Sequence, residues 1–92
     1  MLYGKPKRIE DESLLETIRE MPCLICSKSP VDAHHMTSRG AGGGDTKDNL
    51  VPLCRKHHQE YHQIGISKFA WKYPRIKEWL TRHQRFDLLA KI

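Results

Sequence analysis

The chain has 92 residues, with 16 Lys and Arg against 11 Asp and Glu for a formal net charge of +5, six histidines and three cysteines. That length leaves room for one domain, whose core covers only roughly 60–65% of the surface of the unfolded chain, so a disulfide or metal staple is expected; three cysteines exclude a fully paired disulfide framework. No apolar run approaches a membrane span, and Met1-Leu2-Tyr3-Gly4-Lys5-Pro6 lacks the apolar core of a signal peptide, so a cytoplasmic protein with reduced thiols and no membrane partner is expected.

In chain order, residues 1–10 read as a basic arm. Ser13 and Glu16 have capping-box spacing, and Leu14, Ile18 and Met21 recur at i, i+4 and i+7, which predicts a helix over about 11–20 that Pro22 ends. Cys23-Leu24-Ile25-Cys26 is a knuckle, followed by a turn from Ser27 to Pro30 and an extended stretch from Val31 to Thr37. The run Arg39 to Asp45, dense in glycine, reads as a flexible loop. Leu50 to Leu53 is a second short strand, and Pro52 suits an edge. A helix opens near Cys54 and runs to Gln63, with Gly65 as its stop. Another covers about 67–73, capped by Ser67, with Phe69 and Tyr73 on one face and Pro74 interrupting it. The last runs from about 75 to 90, with Ile76, Trp79, Leu80, His83 and Phe86 aligned, and both Trp71 and Trp79 read as core. Charge follows this division: residues 1–54 carry seven basic and eight acidic residues, whereas residues 55–92 carry nine and three, a net of +6 that suits a nucleic-acid partner.

The histidines and cysteines are clustered. Cys23-x-x-Cys26 and Cys54-x-x-His57 are two ligand pairs of equal spacing, and four nitrogen or sulfur ligands in two knuckles are what a structural tetrahedral Zn²⁺ requires. A thioredoxin-type redox reading lacks the βαβ pattern that it needs. A second set comprises Asp32-Ala33-His34-His35, Asn49 and His58.

Read together, C-x-x-C, A-H-H and D-N-L-V-P-L-C-x-x-H-H resemble the HNH endonucleases, the ββα-metal nucleases, and in particular their zinc-knuckle members from phages and prophages. The resemblance covers roughly residues 23–62. It implies a small α+β fold: a treble-clef-like ββα-metal core of a two-stranded hairpin and a helix, with flanking helices at both ends. Residues 1–92 then form one nuclease domain, divided into the arm (1–10), the helix, knuckles and core (11–65) and basic C-terminal helices (66–92). It also implies roles. His34 and His58 match ligands of a catalytic divalent ion such as Mg²⁺ or Mn²⁺, and His35 matches the general base that activates water. Asn49 matches the Asn that holds the loop and orients the base. In a regular strand His34 and His35 point to opposite faces, so the family arrangement requires a local distortion there.

His57 and His58 point about 100° apart on a helix, which gives His57 to the zinc and His58 to the catalytic ion, with His62 one turn on from His58 as a third ligand. Arg39 and Lys47 flank the glycine loop and are candidate phosphate contacts; Lys68, Lys72, Arg75, Arg82 and Arg85 carry the basic C-terminal helices. The expected activity is metal-dependent hydrolysis of DNA with low sequence specificity. The expected partner is DNA, with no small-molecule cofactor and a homodimer left open. The alternatives are a non-catalytic zinc-stabilised DNA-binding module, an RNA-cutting toxin domain and a protein-interaction zinc domain; only the nuclease readings use the His-His, Asn and His set.

Overall fold

The computed structural model describes residues 9–92, so the expected basic arm lies outside the described residues as far as residue 8. Helix α1 spans Glu12–Arg19, and its cap is Asp11, whose carboxylate accepts a hydrogen bond from the Leu14 amide at 3.0 Å. Ser13 is therefore already inside the first turn, where its carbonyl accepts from the Thr17 hydroxyl, and the expected Ser13–Glu16 capping box does not form. The inward face carries Leu15 and Ile18, whereas Met21 lies beyond the helix and is exposed.

Strands β1 (Val31–His35) and β2 (Leu50–Cys54) form an antiparallel pair in unbroken register, from Val31 opposite Cys54 to His35 opposite Leu50. With two strands both are edges, so Pro52 costs no ladder bond on its outer side, and its carbonyl accepts from the Leu24 amide at 2.9 Å. Alternation sends side chains to two helices. On one side Ala33 and Leu50 pack with Leu14, Leu15 and Ile18 of α1. On the other, Val51 and Leu53 join the main core of Tyr61, Phe69, Ile76, Trp79, Leu80 and Leu88. The glycine-rich connection is more structured than its composition suggests. Arg39–Ala41 form a single 3₁₀ turn capped by Ser38, closed by Gly42 in the left-handed region at φ 91°.

Helix α2 (Arg55–Lys72) starts directly after Cys54 and is broken at Gly65, where φ is 81° and ψ 168°. The stop read at Gly65 is thus a break between two abutting helical runs, without a connecting loop. Helix α3 (Pro74–Arg82) opens with Pro at its first position, where the missing N–H costs nothing. The long last helix does not form: Gln84 takes a left-handed φ of 55°, and α4 (Phe86–Leu89) is a separate single turn. This break carries Phe86 out of the apolar face and leaves it 65% exposed. Trp79 is buried, but Trp71 is 67% exposed, because the second run of α2 turns Phe69 and Ala70 inward instead. Among the described residues no helix is long and apolar enough to cross a membrane.

Candidate functional site

Cys23 and Cys26 sit in the turn after α1, which closes with Ser27 at φ 63° and a bond from the Ser27 amide to the Cys23 carbonyl. Cys54 ends β2 and precedes α2, which puts His57 in the first helical turn. The pairing of the Leu24 amide with Pro52 brings the knuckle to the end of the hairpin. The Cys26 and Cys54 sulfurs are 3.7 Å apart, and His57 Nδ1 lies 3.1 Å from Cys54 Sγ and 3.7 Å from Cys23 Sγ. Tetrahedral zinc sets S···S near about 3.8 Å and S···N near about 3.5 Å, so the cluster is already close to the required shape. All three thiols are free. Burial raises the Cys23 thiol, but backbone N–H groups outweigh it and hold its pKa below the ordinary value; the Ile25 amide donates to its sulfur at 3.4 Å. Burial also keeps His57 below the usual imidazole range, so its lone pair is available. These four residues form a Cys₃His cluster that can hold a metal such as zinc.

The second cluster lies between β1 and the first run of α2. His34, His58 and His62 bring their ligand nitrogens within 4.8 Å of one another. His58 and His62 are one helical turn apart, with their Nε2 atoms 3.1 Å apart, near the roughly 3.3 Å edge of a tetrahedral nitrogen site. Asp32 Oδ2 lies 2.8 Å from His58 Nδ1. A carboxylate only accepts, so Nδ1 carries the proton and Nε2 of His58 keeps its lone pair toward the cluster. His34 is 2% exposed, packed edge-on against Tyr61 with centroids 4.2 Å apart. Its Nε2 is buried without a hydrogen-bond partner among the described residues. Such orphaned nitrogens are rare in folded proteins, and this one lies in a nest of imidazoles. Burial, followed by the fields of His58 and His62, lowers its pKa to about 3, which keeps it neutral as a ligand must be. The donor set and the orphaned atom fit a divalent ion.

His35 belongs to the other face. No bulge interrupts the ladder between His34 and His35, so the distortion expected there is absent and alternation alone separates the two rings. His35 Nε2 is 2.7 Å from Asp45 Oδ1. Asp45 is 4% exposed; its Oδ2 accepts from the Asp11 amide at 3.0 Å, and its own amide donates to the Ile9 carbonyl at 2.8 Å. The hydrogen bond from His35 holds the Asp45 carboxyl well below the usual carboxylate range, with Arg39 contributing from farther away.

Among the described residues Asn49 makes no hydrogen bond to either ring. Its amide nitrogen donates to the carbonyls of Thr37 and Gly44, and its oxygen accepts from the Thr37 amide at 2.7 Å, which locks the loop that presents Asp45. Gly43 is part of the same lock: a Cβ there would stand 1.9 Å from the Thr37 carbonyl oxygen. Arg85 reaches in from the α3–α4 junction to Asn49 Oδ1, Thr37 Oγ1 and the Asp48 carbonyl. Of the two loop cations, Arg39 lines a cleft with Asp45, Glu10 and Glu12. Lys47 lines a different groove, with Leu14, Trp79 and His83, and not the three-histidine cluster.

A family model described as "Protein of unknown function (DUF968)" matches residues 1–86. The chain belongs to the DUF968 family. It is 38% identical over 85 residues to the uncharacterized protein YdfU of Escherichia coli (strain K12). That alignment covers 89% of this chain and 24% of the relative, so the chain spans about a quarter of the length of the curated relative. No solved structure matches.

Three contributors to this DUF968 site were not assigned from the sequence. Asp45 sits in a glycine-rich run, where a turn Asp is ordinary, and only its burial marks it. Asp32 stands two residues before His34 on the same strand face, a spacing that could have suggested the His58 contact. Arg85 reads as one of several surface cations, yet its side chain is 11% exposed and braces the loop.

Proposed function

We propose that this chain is a metal-dependent DNA endonuclease of the HNH type, with β1, β2 and the first run of α2 as its ββα-metal core. Cys23, Cys26, Cys54 and His57 would hold the structural zinc. The observation that carries the reading is the convergence of three imidazole nitrogens within 4.8 Å on one face of β1, with a carboxylate-held histidine on the opposite face at the end of the same strand. His34, His58 and His62 would hold a divalent ion such as Mg²⁺ or Mn²⁺, which would supply Lewis acidity for phosphodiester hydrolysis.

The chain's own residues do the remaining work. Asp45 accepts the proton of His35 Nε2–H, which leaves the Nδ1 lone pair to take a proton from water. Asp32 fixes His58 so that Nε2 faces the cluster. Asn49, Gly43 and Arg85 hold the loop that carries Asp45, so Asn49 acts by positioning. Arg39, on the same cleft as Asp45, is the candidate phosphate contact, and the +6 half of the chain adds affinity for phosphates with little base preference.

Nicking of supercoiled plasmid tests this. The wild type should cut in Mg²⁺ or Mn²⁺ and stop in chelator. His35→Ala should still bind duplex and fall on the order of 10²–10⁴-fold in rate. Near-normal cleavage by His35→Ala removes it as the base. A wild-type protein that binds duplex and cuts it in no divalent ion is instead a zinc-stabilised DNA-binding module.

A further inference from the structure

Trp71 has no role in either metal cluster or in the core. It is 67% exposed near the end of α2, although an indole is among the largest apolar groups a chain can bury. Its surroundings are cationic. Residues 68–77 hold Lys68, Lys72, Arg75 and Lys77 and no acidic residue. Lys68, Trp71 and Lys72 are spaced i, i+3 and i+4, which places them on one helical face. Lys77 crosses from α3 to lie over the indole, with Nζ 4.5 Å from the ring centroid. Lys72 is paired with Glu60. Lys68, Arg75 and Lys77 have no carboxylate partner among the described residues, so their charge is not cancelled locally.

An exposed ring flanked by uncompensated cations is suited to a ligand that is both flat and anionic. Unpaired nucleotides are that ligand, since bases stack on aromatic faces while the adjoining phosphates meet the cations. A duplex hides its base faces in its own stack and offers only phosphate. A purely acidic peptide would use the cations and leave the ring idle. We propose that the Trp71 face binds single-stranded nucleic acid, stacking one unpaired base on the indole, with Lys68, Arg75 and Lys77 supplying the electrostatic contacts. This goes beyond the nuclease reading and does not depend on it.

The test uses the whole zinc-loaded chain without added Mg²⁺ or Mn²⁺, so that binding is measured apart from cleavage. Intrinsic tryptophan emission is titrated with a thymidine oligonucleotide and with a duplex of equal length. The single strand should quench emission more strongly than the duplex. Trp71→Ala should lose most of the quench and on the order of 10-fold in single-strand affinity, with its duplex affinity and melting temperature unchanged. Trp71→Phe should keep most of the single-strand affinity. Equal quenching by duplex, or a Trp71→Ala variant that binds the oligonucleotide as tightly as wild type, would overturn the proposal.

Discussion

Asp45 offers His35 an acceptor and nothing else, and that chemistry dictates the tautomer. An asparagine in its place can turn its amide N–H toward Nε2, which moves the ring proton to Nδ1 and removes the proposed base. Asp45→Asn should therefore lower kcat by about 10² or more with KM nearly unchanged, and Asp45→Glu should recover part of the loss. Steady-state cleavage rates over a range of DNA concentrations separate the two parameters, and an unchanged kcat would show that the carboxylate only closes the loop. His34 makes the complementary case. Its folded pKa of about 3 lies below the ordinary 6.5, so between those values the unfolded chain binds more protons than the folded one. Its contribution to stability is complete above about pH 6.5 and is lost as pH falls toward 3, on the order of 2 kcal/mol by pH 5. Urea midpoints at pH 7 and pH 5 should differ more for wild type than for His34→Leu, which has no proton to gain. Equal pH dependence in both proteins would contradict the assignment of a neutral, buried His34. The cluster residues were legible in the sequence because metal ligands come in spaced groups. Asp45 was not, because nothing local separates a buried aspartate from one in an ordinary turn.

At the scale of elements, the hairpin and the first run of α2 carry the three-histidine cluster and half of the Cys₃His set, and spacing along the chain is enough to place them. Cys54-x-x-His57 turns one way and His58 with His62 the other, as the 3.6-residue repeat demands. The C-terminal half was less legible. Ile76, Trp79 and Leu80 lie on the buried face of α3, but periodicity continues through Gln84 in the sequence while the backbone does not. Arg85 gives one physical account of that break: a straight helix would not deliver its guanidinium to Asn49 and Thr37. The glycine loop is the other place where composition misleads, since Gly43 is there to admit the Thr37 carbonyl. Gly43→Ala should cost about 1–3 kcal/mol through overpacking, a drop in melting temperature of roughly 5–20 °C, and should weaken cleavage with it. Gly40→Ala, where the nearest side-chain atom stands 4.0 Å away, is the matched control and should melt like the wild type. If the two variants melted alike, the loop would be looser than its hydrogen bonds imply.

For the whole molecule, the architecture has two clusters on different faces of the first turns of α2. The Cys₃His set closes the knuckle onto the end of the hairpin, in a chain whose core is thin for its length. The three-histidine set leaves a ligand nitrogen unsatisfied: His34 Nε2 has no partner among the described residues and the imidazoles face one another. The paired knuckles could be read from residue spacing, and the small α+β fold followed from the resemblance that they carry. The packing of α1 against one face of the hairpin and α2 against the other could not, because it depends on which of two alternating faces each helix covers. If the histidine set holds the ion that cleavage needs, losing one exposed ligand should alter metal dependence and nothing else. His62 is that ligand, being exposed and next to His58. The decisive measurement is plasmid-nicking rate against Mn²⁺ concentration for wild type and His62→Ala, with zinc content and melting temperature read on the same samples. Expected is an unchanged zinc content and melt, with the Mn²⁺ needed for half-maximal rate raised on the order of 10-fold or more. Superimposable curves would remove His62 from the site, and nicking that ignored Mn²⁺ altogether would contradict a catalytic ion at these histidines.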